Sequence, residues 1–183
     1  MCNPCRFLYL LGASLLFNSS ALAENADRTF AISQTGVTFL TGDSWQEAGK
    51  RFRLYGVQSC LRGTFYTDKA GQRQDCGAVS TAMLAAFVRD LKPVCAPVAQ
   101  IAADDQPATL LVICTGEVLG RRLDLGATMI TQGFGFAAID NESHPVYLPY
   151  AIEEGIAQQS RKGLWVFADL PHPSTFLFDK PMP

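Results

Sequence analysis

Apolar and polar positions alternate with a period of two from Thr29 to Val57. Phe30 and Ile32 alternate with Ala31 and Ser33, and Val37, Phe39 and Thr41 alternate around Thr38 and Leu40. This is a strand pattern. Gly42-Asp43 reads as a turn, Ser44 to Glu47 as a short strand, and Ala48-Gly49-Lys50 as a tight hairpin turn. Arg51 to Val57 is the next strand, with Phe52, Leu54 and Gly56 on one face and Arg53, Tyr55 and Val57 on the other. A three-strand meander results.

After a polar loop from Cys60 to Asp75, the period becomes helical. Val79, Met83, Phe87 and Leu91 recur on one face, with Leu84 and Val88 beside them; Asp75 is placed to cap the helix and Pro93 to stop it. Val94 to Ile101 and Ala108 to Cys114 read as strands around the turn Ala103-Asp104-Asp105-Gln106-Pro107. The continuous apolar run Leu110 to Ile113 predicts a strand buried on both faces. Asp124 to Gln132 is a second short helix stopped by Gly133. Phe134 to Ile139 leads into a loop, and Pro145 to Pro149 is extended. Tyr150 to Lys162 is a third helix whose Ile152, Ile156 and Ala157 are expected to face the core. The tail, 166–183, carries four prolines and three phenylalanines and reads as an irregular arm laid over the rest.

The N-terminal pattern is of another kind. Arg6 precedes the apolar run Phe7 to Phe17, and Ala21-Leu22-Ala23 is a small-x-small cleavage site before Glu24. Such a leader directs export and is removed. The run is too short for a bilayer core of about 30 Å, which needs roughly 20 residues. The expected organisation is a signal peptide over 1–23, an N-terminal segment over 24–35, one domain over 36–166 and a proline-rich arm over 167–183. The location is secreted or periplasmic, with no transmembrane segment in the mature chain.

Export changes the meaning of the cysteines. Cys60, Cys76, Cys95 and Cys114 remain after the leader, and an even number in an oxidising compartment predicts two disulfides with three possible connectivities. Cys95 and Cys114 are equally far from the turn centre between their strands, so they oppose each other in a hairpin. The pairing is therefore Cys95–Cys114 and, by elimination, Cys60–Cys76. Removing Arg6 with the leader leaves 14 basic against 17 acidic side chains, a net charge of about −3. The short clusters Lys50-Arg51-x-Arg53 and Arg121-Arg122 do not make the basic track that sequence-independent nucleic-acid binding requires.

Three strands, a helix, two strands and two helices is the order of a five-stranded OB-fold barrel with helical additions, mainly β with α. Within that order the chain resembles the staphylococcal-nuclease (thermonuclease-like) family, over about Val37 to Trp165. Gly42-Asp43-Ser44 is similar to the family's Gly-Asp-Thr, and Arg53-Leu54-Tyr55-Gly56-Val57-Gln58 to its Arg-Leu-x-Gly-Ile-Asp. Asp75-Cys76-Gly77-x-x-Ser80 resembles its Cys-Gly-x-x-Ala. Val94-Cys95 and Ile113-Cys114 resemble the cysteine-bearing strands of secreted members. Asp124-Leu125-Gly126 to Gly133-Phe134 and Tyr150-x-x-x-Glu154 to Arg161-Lys162-Gly163-Leu164-Trp165 resemble its last two helices.

In active members of that family, carboxylates hold a calcium ion against the phosphate and a glutamate assists water attack. Two arginines neutralise the charge that develops, since a hard cation takes oxygen ligands and fixed positive charge helps where negative charge builds up. The resemblance makes Asp43 a calcium carboxylate and Arg53 the first phosphate arginine. Gln58 stands where the second calcium carboxylate belongs; its amide oxygen can still coordinate, more weakly. The general-base glutamate is replaced or deleted at Ser59-Cys60-Leu61. The second arginine is replaced within Asp104-Asp105-Gln106-Pro107-Ala108, with Ala108 or its neighbour in its place. Arg121 and Arg122 lie beyond the following strand.

These losses predict an exported binding or interaction module without nuclease activity. It uses no cofactor, is a monomer, and its partner is a protein, an oligosaccharide or a nucleic-acid strand. An envelope or polysaccharide role follows by resemblance to secreted relatives named for succinoglycan biosynthesis. The alternative is a calcium-dependent phosphodiesterase in which Asp43, Gln58 and Asp104 or Asp105 hold Ca2+ and Arg53 holds phosphate. Tyr55 and Trp165 are candidate stacking platforms, with core packing the competing role for Trp165.

Overall fold

A computed structural model describes residues 29–103 and 106–177. Residues 1–28, which include the expected leader, Asp104, Asp105 and residues 178–183 lie outside the described residues.

The elements in chain order are β1 (Phe30–Ala31), β2 (Thr38–Thr41), β3 (Ser44–Glu47), β4 (Lys50–Leu54), β5 (Val57–Gln58), β6 (Phe65–Thr67), β7 (Arg73–Asp75), α1 (Cys76–Leu91), β8 (Val94–Ala103), β9 (Gln106–Val118), β10 (Arg121–Asp124), α2 (Leu125–Thr131), β11 (Phe136–Ala137), α3 (Leu148–Gln159), a 3-10 turn (Gly163–Val166) and α4 (Ser174–Leu177). The architecture is mixed α/β and dominated by strands. The main sheet runs β1-β8-β9-β4-β3-β2, with β10 also on β9, and curls into a half-barrel. All its pairings are antiparallel except β4 with β9.

The β2–β3–β4 meander forms because Ala48 and Gly49 both take positive φ, 48° and 75°. A two-residue turn of that hand matches the twist of the strands it joins. Inward residues of the meander, Trp45, Phe52 and Leu54, enter one core with Leu84 and Val88 of α1, Val112 of β9, and Leu125, Met129 and Ile130 of α2. A second, smaller core gathers Cys60, Tyr66, Cys76, Phe136 and Leu164. The disulfides are Cys60–Cys76 and Cys95–Cys114. The latter joins residues in direct register across β8 and β9. A bridge closing about 15 residues is worth roughly 3 kcal/mol in the chain-entropy model.

Several expectations are corrected. The strand from Arg51 does not reach Val57: Gly56 takes φ 72°, a conformation that favours glycine, and the break turns Val57 into the core. Strand β9 is not buried on both faces. Val112 and Cys114 point inward, while Ile113 is exposed, because this stretch has one side against the core and the other open. The loop after Cys60 contains the β6–β7 hairpin. Its turn is built on Asp68, whose carboxylate accepts from the backbone N–H of Ala70 and Gln72. Arg121 and Arg122 are strand residues on β10. Helix α3 starts at Leu148 and ends at Gln159, and Ile152 and Ile156 face outward. Its inward residues are Tyr150 and Ala157, since the Tyr150 hydroxyl reaches the Asp124 carboxylate at 2.6 Å.

The arm is irregular up to α4 and is tied down at two places. The Asp169 carboxylate accepts from Thr67 N–H at 3.0 Å, and Phe167 stacks on Tyr66. Farther on, His172 lies between Glu154 of α3 and Ser174. Among the described residues no helix is long and apolar enough to cross a membrane.

Candidate functional site

Asp43 sits in the turn between β2 and β3. Its neighbour Gly42 packs so closely on α1 that a β-carbon there would meet Ser80 Oγ at 1.9 Å. The turn is thus pressed onto the helix, and Asp43 is only 3% exposed. Its carbonyl accepts from Leu54 N–H at 2.8 Å, which locks the turn to the end of β4. Ser44 opposes Arg53 across the β3–β4 pair, so the Arg53 side chain leaves its strand beside Asp43.

The polar groups close on one another. Arg53 Nε donates to Asp43 Oδ2 at 2.8 Å, and Arg53 Nη2 donates to Gln58 Oε1 at 2.8 Å. Gln58 Nε2 donates in turn to the Ser59 carbonyl at 2.9 Å. Asp43 Oδ1 accepts from the Thr41 hydroxyl, which also contacts the Ser44 hydroxyl. Two residues past Gln58, Cys60 is bonded to Cys76 at the start of α1, so the segment carrying Gln58 is anchored covalently to the helix that backs the turn of Asp43.

The three candidate residues Asp43, Arg53 and Gln58 therefore meet. Each carboxylate oxygen of Asp43 has a protein donor, and the oxygen of Gln58 is used by the same guanidinium. A neutral amide suits this position because it can accept from arginine and donate to a carbonyl at once; a carboxylate can only accept. A cation entering beside Asp43 would have to displace Arg53. Asp104 and Asp105 lie outside the described residues. Among the described residues no group of three His, Cys, Asp or Glu side chains is arranged to hold a metal ion. Arg121 and Arg122 are exposed on β10, in register with Val118 and Glu117. Trp165 packs edge-on against Phe136 in the second core. Tyr55 is half-buried, and its hydroxyl lies 3.5 Å from the Val146 carbonyl.

Two features escaped the sequence reading. The first is Thr41, the hydroxyl that completes the Asp43 shell. Its signal was local: a threonine two residues before an aspartate in a glycine turn is placed for such a bond. The second is a cleft of about 990 Å3 at the mouth of the half-barrel, between β1, the β3–β4 turn, β8 and β9. Phe30, Phe52, Val98 and Leu110 line it, with Glu47 and Lys50 at the turn. Ala108, which the resemblance expects at or beside the place of a second arginine, lines this cleft; Asp43, Arg53 and Gln58 do not. No signal in the sequence marks it, because its walls come from five separate strands.

Fold and site together define a disulfide-stapled, strand-dominated α/β domain with a sequestered Asp–Arg–Gln network. Compared with protein-family models and with curated proteins, the chain matches none.

Proposed function

We propose that the chain is an exported staphylococcal-nuclease-like domain of the OB type that lacks the nuclease reaction and serves as a binding module. For the fold, the support is the pattern of pairing. Strands β1 and β2 follow each other, and one pairs with β8 while the other pairs with β3. Taken as halves of one bent strand, they close a five-membered ring through β3, β4, β9 and β8, with β4 and β9 parallel. For the loss of chemistry, the support is one observation: Arg53 spends Nε on Asp43 and Nη2 on Gln58. A phosphate would find that guanidinium neutralised, and a calcium ion would find Asp43 already paired.

The partner class follows from charge. A mature part of about −3, once the expected leader with Arg6 is removed, and no basic track suit a protein or an oligosaccharide better than a nucleic-acid strand. The juxtaposition of Asp43, Arg53 and Gln58 favours one competing reading, the calcium-dependent phosphodiesterase, and the two separate cleanly. Incubation of the purified protein with single-stranded DNA and with RNA, in calcium and in chelator, is expected to give no cleavage. Cleavage that needs calcium and disappears in Arg53→Ala would establish the enzyme instead.

A further inference from the structure

We propose that two copies of this chain associate through α3, packed antiparallel about a two-fold axis. Leu148, Ile152 and Ile156 stand at successive turns of one face and are 62%, 58% and 59% exposed. Val146 and Tyr147, just before the helix, are also partly exposed, at 37% and 44%. Scattered exposed leucines need no explanation, but a contiguous apolar patch of this kind marks an interaction site. The inward face of α3 is already occupied by Tyr150 and Ala157, so the helix presents apolar residues on two sides and the domain uses only one.

A second copy is the occupant that the surface fits. Beside the ridge Leu148–Ile152–Ile156 lies the shallow notch left by Gly155, one turn beyond Ala151, which packs against the domain's own core. A β-carbon at Gly155 would meet nothing within 4 Å. Ridge and groove thus lie next to each other on one helix, which is the self-complementarity an isologous contact requires. Ridges spaced by four residues pack into matching grooves at about −50°. Charge sets the direction. The loop leading to α3 carries exposed Asp140 and Glu142, closed by the Ile139–Pro145 bridge, while Arg161 and Lys162 follow the helix and are exposed. An antiparallel pair brings the acidic approach of one copy to the basic exit of the other at both ends; a parallel pair sets like charges together.

Sedimentation velocity of the oxidised protein over a concentration series up to about 1 mM tests this, since an interface weaker than that is not a stable one. The expected result is a reversible dimer. Gly155→Leu fills the groove from a position where an added β-carbon meets nothing within 4 Å, and Ile156→Glu charges the ridge. Each is expected to return a monomer with an unchanged circular-dichroism spectrum, while Gly155→Ala retains the dimer. Raising the salt concentration is expected to weaken association several-fold. A monomer at every concentration would overturn the proposal, whatever else covers α3, the chain's own residues 178–183 included. So would a dimer whose mass is indifferent to both Gly155→Leu and Ile156→Glu.

Discussion

At the scale of single residues, the network around Arg53 is a stability device. Asp43 is buried with its charge, and burial of a carboxylate is tolerated only where donors surround it. Arg53→Ala leaves Asp43 Oδ2 and Gln58 Oε1 without the donor they share. The variant is expected to lose roughly 1–3 kcal/mol in urea denaturation at neutral pH, the usual penalty for a stranded buried acceptor. In the double variant Arg53→Ala with Asp43→Asn, the loss is expected to be smaller than the sum of the two single losses, because the stranded charge is gone. A full additive loss would mean that the two side chains do not act on each other. Asp43, Arg53 and Gln58 were legible in the sequence as a group. What they do to one another was not: the direction an arginine takes from its strand depends on which acceptors the turn and the next strand bring near.

At the scale of elements, the cap of the first helix was legible because its signal is local. Asp75 precedes the apolar period of α1, and in the structure its carboxylate accepts from Ala78 N–H at 2.9 Å and from Gly63 N–H. Burial alone would push its pKa up. The bonds from Ala78 and Gly63 and the nearby Arg62 charge outweigh that and hold it below the ordinary 3.8. A depressed folded-state pKa stabilises the fold above the unfolded value, and that contribution is lost as pH falls through the folded value. The window is therefore below about pH 4. Asp75→Asn keeps a capping side chain but cannot titrate there. Its melting temperature is expected to fall less steeply than that of the parent between about pH 5 and pH 2; equal slopes would remove Asp75 from the acid response. The facing of α3 was not legible. The helical period fits both the stripe of Ile152 and Ile156 and the stripe of Tyr150 and Ala157. The choice is made by Asp124 on a different element, which receives the Tyr150 hydroxyl. Likewise the break at Gly56 could be read either as a strand glycine or as a turn until β11 paired with the displaced Val57–Gln58.

At the scale of the whole molecule, long-range ties hold the Asp43–Arg53–Gln58 network together. Cys60–Cys76 fastens the segment of Gln58 to α1, and α1 in turn backs the turn of Asp43. The hairpin disulfide fixes β8 on β9, and β9 is the strand against which β4 carries Arg53. The site is held in its closed arrangement from three directions. The strand meander, the first helix and the cysteine pairing follow from period, capping and symmetry about a turn, all of which operate over short distances. The cleft, the β6–β7 hairpin and the arm's anchors at Asp169 and His172 depend on residues far apart in sequence, and no periodicity reports them. On the proposed function, Arg53 fills the position beside Asp43 that a cation would need. The most direct measurement is the melting temperature of the oxidised protein as calcium is titrated against chelator. A ligand that binds only the folded state stabilises it by about 2.7 kcal/mol at a hundredfold excess over its Kd, so a real site raises the melting temperature in a saturable way. The closed Asp43–Arg53–Gln58 network predicts no shift up to millimolar calcium. A saturable rise that is abolished in Asp43→Asn would contradict it.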